Sequence, residues 1–182
     1  MKIISKLKTI IFLAIVSIVT FNITSTALSY SIMWGTCNFS TNQYSLYYDY
    51  YQEGTKDYSS YIKSGVSAWN YTTAHIYMFK QTDPDSQDFN ITFTSKEYGS
   101  TGWHGHCQAP IPILWPDNSY IKINESYQSS FSGKESELVA HELGHSFRLD
   151  DVSDTTVLMR NSGYKGSPNP TQDDIDGVNS NY

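Results

Sequence analysis

The sequence predicts one α+β domain behind a cleavable leader, on three observations. Short β-prone runs with alternating apolar residues recur between residues 44 and 126. Two segments, one opening at Asp57 and one near Lys134, carry apolar residues at helical spacing instead. The first 29 residues differ in kind from everything after them.

That leader places Lys2, Lys6 and Lys8 before an apolar run from Ile10 to Val19, followed by small and polar residues through Ser29. This is the pattern of a secretory signal peptide cleaved after Ala27 or Ser29. Asn22, Thr24, Ser25 and Thr26 interrupt the apolar run before the roughly 20 residues of a membrane span, the alternative use of such a segment. The expected domain boundaries are therefore 1–29 for the leader and 30–182 for a single secreted, extracellular domain. Removing three lysines and no acid leaves nine basic against 18 acidic side chains, a net charge of −9 in place of −6. That charge argues against nucleic acid and, once the leader is gone, against an anionic membrane as partners; a monomer is expected. In a secreted chain the two cysteines, Cys37 and Cys107, are expected to form a disulfide.

In chain order, Tyr44 to Tyr51 reads as the first strand, ended by Glu53-Gly54. From Asp57, residues Tyr58, Tyr61, Ile62, Gly65, Ala68 and Trp69 trace one face of a helix. His75 to Lys80 and Asn90 to Ser95 are the next strands, the latter setting Ile91 and Phe93 against threonines. Gly99 to Pro116 is a loop punctuated by glycine and proline that holds His104 and His106, read as residues of a cleft rim. Two donors spaced by one residue are too few to define a second metal. Ser119 to Ser126 is another alternating strand. The second long helix begins near Lys134, with Leu138, Val139 and Leu143 on its buried side. A last helix opens at Thr171, with Asp174 three residues on as a capping partner, and turns Ile175, Val178 and Tyr182 inward.

Chemistry concentrates between His141 and Asp151, which reads His-Glu-Leu-Gly-His-Ser-Phe-Arg-Leu-Asp-Asp. Residues four apart on a helix lie on one face, so His141 and His145 can offer imidazole nitrogens to one ion. Glu142 falls beside that ion. Two imidazoles suit zinc, and an adjacent carboxylate that is not a ligand can take a proton from water. Asp151, ten residues after His141, lies where a chain leaving the helix can turn back with a third ligand; Asp150 is the neighbouring alternative. Thr155 to Met159 then reads as a turn packed under the site.

These residues resemble the metzincins, and among them the matrixins, whose signature is H-E-x-x-H-x-x-G-x-x-H followed by a methionine turn. The resemblance is sharp from Glu137 to Tyr182 and looser from Tyr44 to Tyr127. It implies a metzincin-like zincin fold: a twisted, mostly parallel sheet, two long helices, an active-site cleft, a methionine turn and a C-terminal helix. It implies a zinc metalloendopeptidase acting on protein or peptide substrates, with one catalytic zinc on His141, His145 and Asp151 and with Glu142 as general base. Met159, Asp173 and Asp174 take structural roles, one aspartate bracing the methionine turn and the other receiving the mature N-terminus. Calcium, which matrixins bind, has no clear motif here.

Two departures stand out. Asp151 replaces the third histidine, as in snapalysin-type enzymes. Arg148 stands where the family has a glycine in left-handed conformation, so the turn is expected to differ in detail. Cys37 as a small latency switch on the zinc is the alternative to the disulfide, although the family's Pro-Arg-Cys-Gly pattern is missing. The segment Arg160 to Pro170 is expected to wall the pocket beyond the scissile bond, with Tyr164 in place of the family's Pro-x-Tyr. A secreted, zinc-containing binding domain that does not cut is the rival from another functional class.

Overall fold

The computed structural model describes residues 30–33, 44–83, 90–108 and 118–181. The expected leader, Cys37 and Tyr182 lie outside the described residues. Within them the chain forms β1 (Ser31–Ile32), β2 (Tyr44–Gln52), α1 (Ser59–Asn70), β3 (Ile76–Lys80), β4 (Ile91–Lys96), β5 (Gly105–Gln108) and β6 (Ser119–Asn124). A 3₁₀ turn (Glu125–Tyr127), α2 (Gln128–Phe131), α3 (Glu135–Ser146), β7 (Leu149–Asp150) and α4 (Gln172–Asn181) follow.

Five strands make one sheet in the order β3-β2-β4-β6-β5. The pairs β2/β3, β2/β4 and β4/β6 are parallel, and β5 runs antiparallel to β6 at the edge. Parallel neighbours need a crossover, and α1 supplies the one between β2 and β3. Period-two alternation sends Leu46, Tyr48, Ile76, Met78, Ile91, Phe93, Ile121 and Ile123 into the core. Tyr47, Phe79 and Tyr120 stay partly exposed. Central β4 departs from the simple pattern at Thr92, which is buried as well, while buried Ser95 continues the face of Ile91 and Phe93.

Helices α1 and α3 pack side by side under this sheet. A Cβ at Gly65 would lie 2.6 Å from Val139 Cγ1 and 3.0 Å from the Ala140 nitrogen, so only glycine permits this approach. Trp69, four residues on, donates its indole N–H to the Ala140 carbonyl at 2.9 Å and meets Phe147 edge-on. The long helix expected from Asp57 thus seats the site helix directly.

Beyond α3 the chain turns at Arg148, whose φ is 70°. The left-handed turn is therefore kept without glycine, a conformation that costs a non-glycine residue about 1–2 kcal/mol. Partial compensation is visible in the 2.8 Å hydrogen bond from the Met33 N–H to the Arg148 carbonyl. That bond belongs to a small antiparallel pairing, Ser31 with Asp150 and Ile32 with Leu149, by which the N-terminal segment clamps the turn. Two residues are too few to show alternation, so this strand has no sequence signal.

Candidate metal centre

Helix α3 carries His141 and His145 on one face, and β7 leads out of the Arg148 turn to Asp151. His141 Nε2 lies 3.2 Å and His145 Nε2 3.6 Å from Asp151 Oδ1. One donor atom from each residue falls within 4.8 Å of the others, a set that could hold a metal ion. Ligand atoms on a tetrahedral zinc, with bonds near 2.0–2.1 Å, stand about 3.3–3.5 Å apart, close to the two separations from Asp151 Oδ1. Asp150 pairs with Ser31 through its backbone, accepts the Asp151 N–H on its own carboxylate at 2.9 Å, and is not part of the set.

Main-chain carbonyls aim the two imidazoles. His141 Nδ1 is 3.0 Å from the Leu158 carbonyl, and His145 Nδ1 is 2.8 Å from the Leu149 carbonyl. A carbonyl can only accept, so each Nδ1 carries the hydrogen and each Nε2 is left as a donor atom for an ion. Burial alone would lower the His141 imidazole, but the Asp151 carboxylate, the Glu142 charge and the Leu158 carbonyl outweigh it and hold it up at about 9.

Glu142 lies on the neighbouring face, with 5% of its surface exposed. Burial pushes its carboxyl up to about 7, against the lowering effect of His141. Edge strand β5 presses on it: a Cβ at Gly105 would stand 2.5 Å from Glu142 Oε1. Cys107 has a thiol free of any described partner cysteine, and its expected pairing with Cys37 lies outside the described residues. Its sulfur is 3.3 Å from Ser146 Oγ, and burial pushes the thiol well above its ordinary range.

Met159 is 1% exposed and packs under the site helix at Gly144, where a Cβ would lie 2.2 Å from the methionine sulfur. Gly144→Ala should therefore overpack this contact and lower stability by about 1–3 kcal/mol in urea unfolding. A wild-type midpoint would mean that Met159 can swing aside. Asp174 accepts from the backbone N–H groups of Leu158 (3.0 Å) and Met159 (3.2 Å) while capping α4 with Thr171. It is thus the aspartate of the pair that touches the methionine turn.

A cleft of about 330 Å³ runs past His141, Glu142 and Asp151, between Gly102, His104 and Gly105 on one rim and Arg160 to Tyr164 on the other. The glycine-rich segment after Met159 does form a wall, as its composition suggests. Glu137, missed by the sequence reading, ties that wall to α3: its carboxylate accepts from the backbone N–H groups of Lys165 and Gly166. His104 reaches across to Tyr164, with Nδ1 and the phenol oxygen 2.8 Å apart. His106 is on the other face of β5, with its ring 5.6 Å from that of Trp103. The only early hint of Glu137 was an acid on the buried side of an amphipathic helix.

No family model matches the sequence. Among solved structures, a chain of the GM1-bound form of the ECX AB5 holotoxin aligns with TM-score 0.54 and 14% identity, over 84% of this chain and 88% of that one. Archaemetzincin from Methanopyrus kandleri aligns with TM-score 0.51 and 13% identity, over 78% of this chain and 97% of that one. At such identities the likeness concerns the fold alone, which resembles that of archaemetzincin. This chain's own residues add a His/His/Asp group able to hold a metal.

Proposed function

We propose that the mature chain is a secreted zinc metalloendopeptidase of metzincin type, matrixin-like in its motif, with His141, His145 and Asp151 as metal ligands and Glu142 as general base. The convergence of two carbonyl-oriented imidazoles and one carboxylate beside a buried, non-ligating glutamate supports this reading above all. Zinc held there supplies Lewis acidity to the scissile carbonyl and the attacking water. Glu142 accepts the water proton and hands it to the leaving amine. Among the described residues β5 pairs only with β6, so its other edge can take an extended peptide as an added strand.

The test is metal content with activity. Purified mature protein should hold about one zinc per chain and cleave casein or gelatin in a chelator-sensitive manner. Asp151→Ala should lower zinc occupancy more than Asp150→Ala; the reverse order would move the third ligand. Zinc lost on mild dialysis would remove the enzyme reading. Retained zinc with no cleavage of a broad peptide library would favour the non-catalytic binding domain.

A further inference from the structure

Resting on the peptidase reading, we infer that the His104–Tyr164 pair is a bar across one end of the cleft that selects substrates by their length beyond the scissile bond. Two rims of the cleft meet in this pair. His104 immediately precedes edge strand β5, Tyr164 sits 60 residues away on the opposite wall, and their ring planes lie within 4° at a centroid distance of 6.0 Å. Their 2.8 Å hydrogen bond closes the gap. Both ends are fixed. The His104 ring is backed by Tyr127 and Phe131, each 5.6 Å away between centroids. The wall is held next to Tyr164 by the Glu137 carboxylate on the Lys165 and Gly166 N–H groups. Burial and the charges of Glu142, Glu137 and Glu135 keep the Tyr164 phenol neutral, so it remains a partner for the imidazole.

Position follows from the run of β5 along α3. Gly105 lies against Glu142 and Cys107 against Ser146, so the strand and the helix advance in the same sense. Stepping back from Gly105 to His104 therefore leads toward Glu137, four residues and about 6 Å before His141 on the helix. A peptide added to β5 in the more stable antiparallel sense sends its C-terminal side toward His104. At about 3.3 Å per residue, only one or two residues fit between the metal ligands and the bar. A longer chain has to part His104 from Tyr164.

The experiment compares zinc-loaded wild type, Tyr164→Phe and His104→Ala on two fluorogenic peptides that share a scissile core and carry about two or about six residues on its C-terminal side. Wild type should favour the short form by about tenfold or more in kcat/KM, and His104→Ala should bring that ratio to within about twofold. Tyr164→Phe keeps the ring without the hydrogen bond and should fall between them; it carries the test if His104→Ala does not fold. Equal cleavage of both peptides by wild type, or a preference that persists in both variants at full zinc content, overturns the bar. If zinc-loaded wild type cleaves neither these nor any library peptide, the peptidase reading itself fails.

Discussion

Glu142→Ala is expected to cut peptide hydrolysis by about 10²- to 10⁴-fold while leaving zinc content and fold nearly intact, because general-base catalysis typically contributes that much. Its carboxylate is outside the His141, His145 and Asp151 donor set, so its removal takes no ligand from the ion. Neither is it one of the apolar residues that α3 gives to the core, which are Leu138, Val139, Ala140 and Leu143. Its burial under Gly105 puts the proton acceptor in a poorly solvated position and raises its basicity toward neutrality. A base with such a proton affinity can both accept from water and return the proton to an amine. Single-turnover cleavage of an unstructured protein, with zinc measured on the same samples, checks this. Equal chelator-sensitive rates for variant and wild type would sink the mechanism.

What the sequence made legible was local. His141 and His145 follow from helical spacing, Asp151 from its distance to them, and the Thr171–Asp174 cap from a three-residue interval. The β-prone runs likewise became strands, since alternation is a local signal. Contacts between distant segments had no such signal. Ser31 with Asp150, Glu137 with the Lys165–Gly166 backbone, and His104 with Tyr164 depend on how loops are carried by the fold. Arg148 shows the limit from the other direction: a residue that disfavours the left-handed turn nevertheless adopts it, because tertiary packing sets the conformation. The order of the paired acids was equally illegible. Both Asp173 and Asp174 stand in the first turn of α4, where the helix dipole favours either one.

Replacing Asp174 by alanine should be among the most damaging changes in the chain, at about 3–5 kcal/mol of stability. The side chain is 1% exposed and accepts four hydrogen bonds, from the Leu158, Met159 and Thr171 backbone N–H groups and the Thr171 hydroxyl. Alanine would leave these donors without their acceptor in the interior, and each orphaned donor costs about 1–3 kcal/mol when water cannot reach it. Asp173→Ala, which removes a half-buried acid from the first turn of α4, should cost less than Asp174→Ala. Urea unfolding of the two variants reads the difference, and a larger loss for Asp173 would reverse their roles. The effect should also travel to the metal. Asp174 fixes the Leu158 N–H, and the carbonyl of the same residue orients His141 through Nδ1. Loosening that residue should weaken zinc binding by roughly 10- to 100-fold, the usual consequence of disturbing a ligand's outer hydrogen bond. Unchanged zinc affinity in a destabilised Asp174→Ala protein would show that the Leu158 carbonyl holds its place without the aspartate.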